Sequence, residues 1–134
     1  MEVYKVVEKK TRHCSNWALF KVQPGSRWNY PVWQKFRRKH IGYFPRYLKG
    51  NIIKAVKGSL GILTFEWKWH AENFIAQNAS ANLIIIRVKG IGDYHKVTWL
   101  KGNCGGRPSN ILYYDQEMSA PYGTCGFQAV EVLE

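Results

Sequence analysis

Residues 59–79, SLGILTFEWKWHAENFIAQNA, contain the change of pattern on which the fold turns. The first seven, Ser59 to Phe65, are rich in aliphatic and β-branched side chains and read as a strand. Beyond them Trp67, Ala71, Phe74 and Ile75 recur at i, i+4, i+7 and i+8, which places them on one helical face. Phe65, Trp67 and Trp69 also alternate, so a strand running on to Trp69 competes. The run from Ala71 to Asn78 suits nothing but a helix, and the spacing predicts one over about 66–78.

Working outward, EVYKVVEK (2–9) reads as a first strand, and SNWALFKV (15–22) as a second that ends at the Pro24-Gly25 turn. Residues 23–57 carry three prolines and three glycines and cannot hold a long helix, so this segment is expected to be loop-rich. NLIIIRVK (82–89) and YHKVTWL (94–100), joined by GIGD, suggest a hairpin. A loop at 101–109, a short strand NILYY, a turn at 120–126 and a final strand FQAVEVL (127–133) complete the chain. The expectation is a single α+β domain over 1–134. It has a mostly antiparallel sheet of six or seven strands, one main helix and both termini tied into the sheet.

A chain of 134 residues with 46% hydrophobic and 15% aromatic side chains can bury a substantial core, which excludes a disordered protein. Cys14, Cys104 and Cys125 are an odd set without close spacing, so reduced thiols and a cytoplasmic setting are expected. The opening MEVYKVVEKK has no apolar h-region, and LIII at 83–86 is too short to span a bilayer. Neither a signal peptide nor a transmembrane segment is expected.

The net charge of +11 is unevenly placed. Residues 1–57 hold fourteen Lys or Arg against Glu2 and Glu8, whereas residues 58–134 hold six against seven acids. Ordinary surfaces mix both signs, so a half-chain nearly free of acids points to a polyanionic partner. Nucleic acid, an acidic protein face and an anionic membrane surface all qualify. The centre of this half is KFRRKHIGYFPRYLKGNIIK at 35–54. Lysine and arginine neutralise phosphates and release counterions, while aromatic rings stack on unpaired bases. The candidate binding residues are Lys35, Arg37, Arg38, Lys39, Arg46, Lys49, Lys54 and Lys57, with Trp28, Tyr43 and Tyr47 as stacking platforms. Buried rings are nevertheless the norm, so the aromatic members compete with a plain packing role.

Other constellations carry less. KGIGD (89–93) and KGNCGG (101–106) could form anion-binding nests, but neither matches a nucleotide fingerprint, and a turn needing positive φ explains them as well. No metal-ligand spacing such as CxxC or HxxxH occurs, and no metal or other cofactor is expected. Cys104 with His95 is the one thiol–imidazole pair that topology could bring together, and no catalytic residue is assigned. Glu131 alternates with Val130 and Val132 and reads as an outward-facing strand residue.

The stretches VYKVV (3–7), GSLGILTFEWKWHAENF (58–74) and YGTCGFQAVEVLE (122–134) resemble small uncharacterised accessory proteins of bacteriophage type. That resemblance implies a viral accessory protein acting in a host cytoplasm, and the basic stretch lies outside it. The same order of strand, G-x-L-x-F and A-x-x-F is similar to small ADP-ribosyltransferase-like folds. It would imply an NAD cleft with Glu131 as the acid, although Val3-Tyr4-Lys5 stands where a His or Arg is expected. Together the residues favour a basic accessory protein that binds nucleic acid or a nucleic-acid-handling complex. The alternatives are a nucleotide- or NAD-using enzyme and an inhibitor docking on an acidic host protein. Oligomeric state is not encoded in any pattern found.

Overall fold

A computed structural model describes residues 1–15, 35, 38–79, 81–101 and 117–134. It shows an α+β fold. The strands are β1 (Glu2–Glu8), β2 (Ile52–Lys54), β3 (Ile62–Phe65), β4 (Leu83–Ile91), β5 (His95–Lys96), β6 (Trp99–Lys101), β7 (Glu117–Ser119), β8 (Thr124–Phe127) and β9 (Ala129–Val132). A helix, α1, spans Lys68–Gln77, and a 3-10 turn spans Ile41–Tyr43. The main sheet runs β2-β9-β4-β1-β3-β8-β5, antiparallel throughout, and β6 pairs with β7 separately.

That order returns on itself. β8 and β9 are separated in sequence by Gln128 alone, yet four strand steps lie between them in the sheet. In a flat sheet four steps would cover about 19 Å, which one residue cannot bridge. The sheet must therefore curl until its ends meet, giving a small barrel. The registers show how few long strands build it. β4 and β5 both run along the β8–β9 strand, with Ile91 opposite Ala129 and His95 opposite Gly126. β2 and β3 run along its other side, with Lys54 opposite Ala129 and Ile62 opposite Phe127. β1 closes the ring by pairing along its whole length with β4 and at Tyr4 with Phe65 of β3.

This corrects the hairpin expected around GIGD. Residues 83–96 form one continuing strand with a bulge at Gly92–Tyr94, where three residues oppose two, and no reversal occurs there. Gly92 takes φ +86° to make the bulge. The run 124–132 is likewise broken at Gln128, so the expected closing turn and final strand form two strands. The strand expected at 15–22 and the one at 110–114 fall outside the described residues, apart from Ser15.

Alternation sorts the side chains. Val3, Val7, Ile62, Ile86, Val88, Cys125, Phe127, Val130 and Val132 fill the barrel, and Phe44 and Tyr47 join them. Val6, Phe65 and Leu83 face outward and are covered by Ala71, Phe74 and Ile75 of α1. Trp67 does not share that face, contrary to the helical spacing. It is the extended residue before α1, with φ −119° and ψ 142°, and it is 57% exposed. Glu66-Trp67 offers no side chain that caps the helix, so the helix starts at Lys68 rather than at 66.

Gly90 shows how tightly the ring is closed. It sits opposite Val130, and a Cβ there would lie 2.3 Å from Cε1 of the Phe127 ring. Gly90→Ala is expected to lose about 1–3 kcal/mol by overpacking. Gly42→Ala, where a Cβ would meet only Val56 at 3.5 Å, should stay within about 0.5 kcal/mol of the parent. Urea denaturation of both variants checks this, and equal midpoints would refute the packing account.

Candidate nucleic-acid interface

The basic segment is held to the barrel by its own aromatic residues and by polar ties to the turn after β1. Phe44 and Tyr47 are 1% and 2% exposed, and Tyr43 packs half-buried against the same cluster. His13 donates Nδ1–H to the Phe44 carbonyl at 2.8 Å, Arg46 donates Nε–H to Thr11 O at 2.8 Å, and Arg12 donates Nε–H to Tyr47 O at 2.7 Å. Arg12 adopts φ 62° at this junction. Burial lowers the His13 imidazole pKa, opposed by its bond to Phe44. His40, edge-on to Tyr43 at 6.4 Å, is also lowered by burial and then by Lys39.

With the rings turned inward the cations face solvent. Lys35, Arg38, Lys39, Arg46, Lys49, Lys54 and Lys57 are all exposed, while Arg37 and Trp28 lie outside the described residues. Residues 35–57 contain no Asp or Glu. Among the described residues the ion pairs are those of Arg87 with Glu2 and with Glu134, so none of these cations is paired to a described carboxylate. Lys49, Lys54 and Lys57 follow one another before, on and after β2. The structure thus brings the charges to one segment's surface but removes Tyr47 from the stacking set.

Tyr47 has a different task. Its ring lies beneath the Lys5 ammonium, 5.0 Å from Nζ to the centroid. Lys5 sits on the inward face of β1 between Val3 and Val7, is 7% exposed, and donates to the Leu63 carbonyl at 2.7 Å. β1 and β3 pair only at Tyr4 with Phe65, so the amine bridges these strands where their ladder has ended. One of the N-terminal cations is therefore interior. Burial lowers the Lys5 pKa, and burial raises the Tyr47 phenol well above its ordinary value.

Two further surfaces escaped sequence reasoning. The first is a cavity of about 420 Å³ at the barrel corner. The breaks between β2 and β3, between β4 and β5 and between β8 and β9 fall at the same level, and their residues line it. Residues 55–61 supply most of the wall, facing Asp93, His95 and Gln128. The second is an aromatic ledge at the start of α1, where Trp67, Trp69 and Tyr122 are 57%, 54% and 82% exposed. His70 lies beneath, 3.7 Å from the Trp69 ring centroid and 5.1 Å from that of Tyr122. Both its ring nitrogens are buried without a hydrogen-bond partner among the described residues. Gly123 permits the contact, since a Cβ there would lie 2.1 Å from His70 Nδ1.

Of the weaker candidates, Glu131 projects from the outer face of β9, between Ile52 and Lys89 in register, and does not line the cavity. Cys104 lies outside the described residues, and His95 bonds Leu60 O through Nε2 at 2.8 Å. Among the described residues no group of three or more His, Cys, Asp or Glu is placed to hold a metal ion. No described helix is long and apolar enough to cross a membrane. Cys14 and Cys125 are both buried, and Gly92 of KGIGD serves the bulge. No protein-family model, curated protein or solved structure matches the chain.

The buried amine has a measurable consequence. Lys5 titrates below its ordinary value when folded, so over that interval the unfolded chain binds more protons and stability rises with pH. Tyr47 acts in the opposite sense above its ordinary value of 10.0, which confines the window to lower pH. The stability of the parent relative to Lys5→Met should therefore improve as pH rises from neutral towards about 10. Denaturation of both proteins across that range checks it, and a difference that stays constant with pH would refute a buried titrating amine.

Proposed function

We propose that the protein binds nucleic acid through the cationic surface of residues 35–57. The observation that carries this reading is the set of seven exposed cations in a segment without a single acid, none paired to a carboxylate among the described residues. Cations clustered without described carboxylate partners repel one another, and a polyanion relieves that repulsion while its own condensed counterions are released into solvent. The stretch at 43–47 is also firmly based. Phe44 and Tyr47 are locked in the core, and Arg12, His13 and Arg46 tie the segment to the turn after β1. Preorganised cations lose less side-chain and loop entropy on binding than a floppy basic tail would.

Phosphate contacts of this kind position a strand without reading its sequence. Binding in this mode is sequence-tolerant and strongly salt-dependent. Exposed rings at Trp67, Trp69 and Tyr122 add stacking faces of the type that unpaired bases use. An accessory role of bacteriophage type in a host cytoplasm is the setting that the resemblance implies, and a sequence-tolerant binder fits it.

The test is fluorescence anisotropy with labelled single-stranded and double-stranded oligonucleotides over a salt series. Affinity is expected to fall linearly in log–log form with salt. The combined variant Lys49→Gln, Lys54→Gln, Lys57→Gln should reduce the slope by about 2 to 3. Binding that is undetectable at low salt, or indifferent to salt, would refute the proposal.

A further inference from the structure

The barrel-corner cavity points to a more specific ligand. We propose that it binds one nucleoside monophosphate unit, either free or as the terminal nucleotide of a strand. This deepens the nucleic-acid reading and rests on it for the identity of the polyanion.

A volume of about 420 Å³ lies at the lower end of small-molecule sites, which run from roughly 300 to 1,000 Å³. That is of the order of a single nucleotide-sized ligand. The lining then sets the chemistry. Lys57 offers an ammonium and Ser59 a hydroxyl, both suited to phosphate oxygens. Gly58, at φ +79°, makes the sharp turn that keeps these two residues on one short loop. Asp93 is an acceptor that would repel a bare anion, so a simple phosphate is a poor match. A carboxylate in the same cavity calls for hydrogen-bond donors on the ligand, which a ribose diol or the amino edge of a base provides.

His95 adds adaptable polarity. The Leu60 carbonyl can only accept, so the bond at 2.8 Å fixes the proton on Nε2 and leaves Nδ1 for other partners. Gln128 brings both a donor and an acceptor. Val56 and Leu60 supply apolar wall for a sugar or base face. A neutral sugar would leave Lys57 unmatched, and inorganic phosphate would leave Asp93 unmatched. A nucleotide answers both with one molecule. The position also fits, because Lys57 in the cavity wall follows Lys54 of β2 within the same acid-free segment.

The experiment is amide-resolved NMR titration of the full chain with AMP, GMP, CMP and UMP, with inorganic phosphate and ribose as controls. Anisotropy then compares 5′-phosphorylated, 3′-phosphorylated and unphosphorylated oligonucleotides. The monophosphates are expected to shift the amides of 57–61, 93–95 and 128. Asp93→Asn should weaken them about tenfold, while salt-dependent binding of oligonucleotides without a terminal phosphate stays within about twofold. Preference for a phosphorylated end identifies a strand terminus as the source, and equal affinity for free nucleotide identifies the free pool. Absence of shifts at millimolar nucleotide, or equal shifts with inorganic phosphate, overturns the inference even if oligonucleotides still bind. Loss of all oligonucleotide binding would instead overturn the broader reading.

Discussion

Everything in this fold depends on the strand from Thr124 to Val132 being shared between two sets of neighbours. Its first half is paired by β3 and β5, and its second half by β2 and β4. A single residue, Gln128, separates the halves, so the sheet has no freedom to lie flat. Closure then decides which side chains are interior. Val130, Val132, Cys125 and Phe127 turn inward and pack in one cluster with Val3 and Val7 of β1 and with Ile86 and Val88 of the neighbouring β4. Phe127 fills the space that Gly90 leaves and also lies against Gly61, where a Cβ would come within 2.7 Å of its carbonyl oxygen. Two glycines thus mark where the ring is narrowest.

Closure also explains the interior lysine. β1 leaves β3 after one paired residue because its main partner is β4. The carbonyl of Leu63 would face that gap with no strand amide opposite, and a buried carbonyl without a donor is costly. Lys5 supplies the donor, and the face of Tyr47 lies against its charge. Replacing water around an ammonium by one carbonyl and one ring is an incomplete exchange, which is why its pKa falls. The same contact fixes Tyr47, and through Arg12 bonded to the Tyr47 carbonyl it secures the basic segment. The inward rings and the outward charges of 43–49 are two results of one constraint.

These relations set what could be read from sequence. The strand–helix unit at 59–79 was legible because a period of two gives way to a period near four within one short stretch. Both terminal strands were legible from their β-branched residues. Closure was not, since Gln128 sits inside an apolar run that looks continuous, and nothing local records that its halves have different partners. GIGD misled for a related reason: positive φ at Gly92 serves a bulge and a hairpin turn equally well. Trp67 obeyed the helical spacing but lies one residue before the helix, where periodicity no longer governs direction. Lys5 occupies an inward position of a strand where Val6 and Val7 are both buried, so no clean alternation marked which face it takes. At the candidate interface the charges were legible because absence of acids is a property of composition. Tyr47 was not, because only the tertiary fold distinguishes a buried ring from a platform.

The corner cavity illustrates the same limit and what lies beyond it. Its walls come from residues 55–61, from Asp93 and His95, and from Gln128, three segments that share no motif and meet because three long strands break at one level. A strand break costs ladder hydrogen bonds, and the cost is met partly by substitutes: Ala55 N–H to the Gln128 carbonyl, Gly61 N–H to Ser59 Oγ, and His95 to the Leu60 carbonyl. Those substitutes hold polar groups at a fixed place in the wall of a curved sheet, where an unbroken ladder would have consumed them. Barrel curvature needs bulges in any case, so the geometry that closes the core also creates a recess that sets a few polar groups in a largely apolar wall. A surface charge alone attracts any polyanion. A recess that combines Lys57 with Asp93 can distinguish among them, because each group penalises a ligand that satisfies only the other.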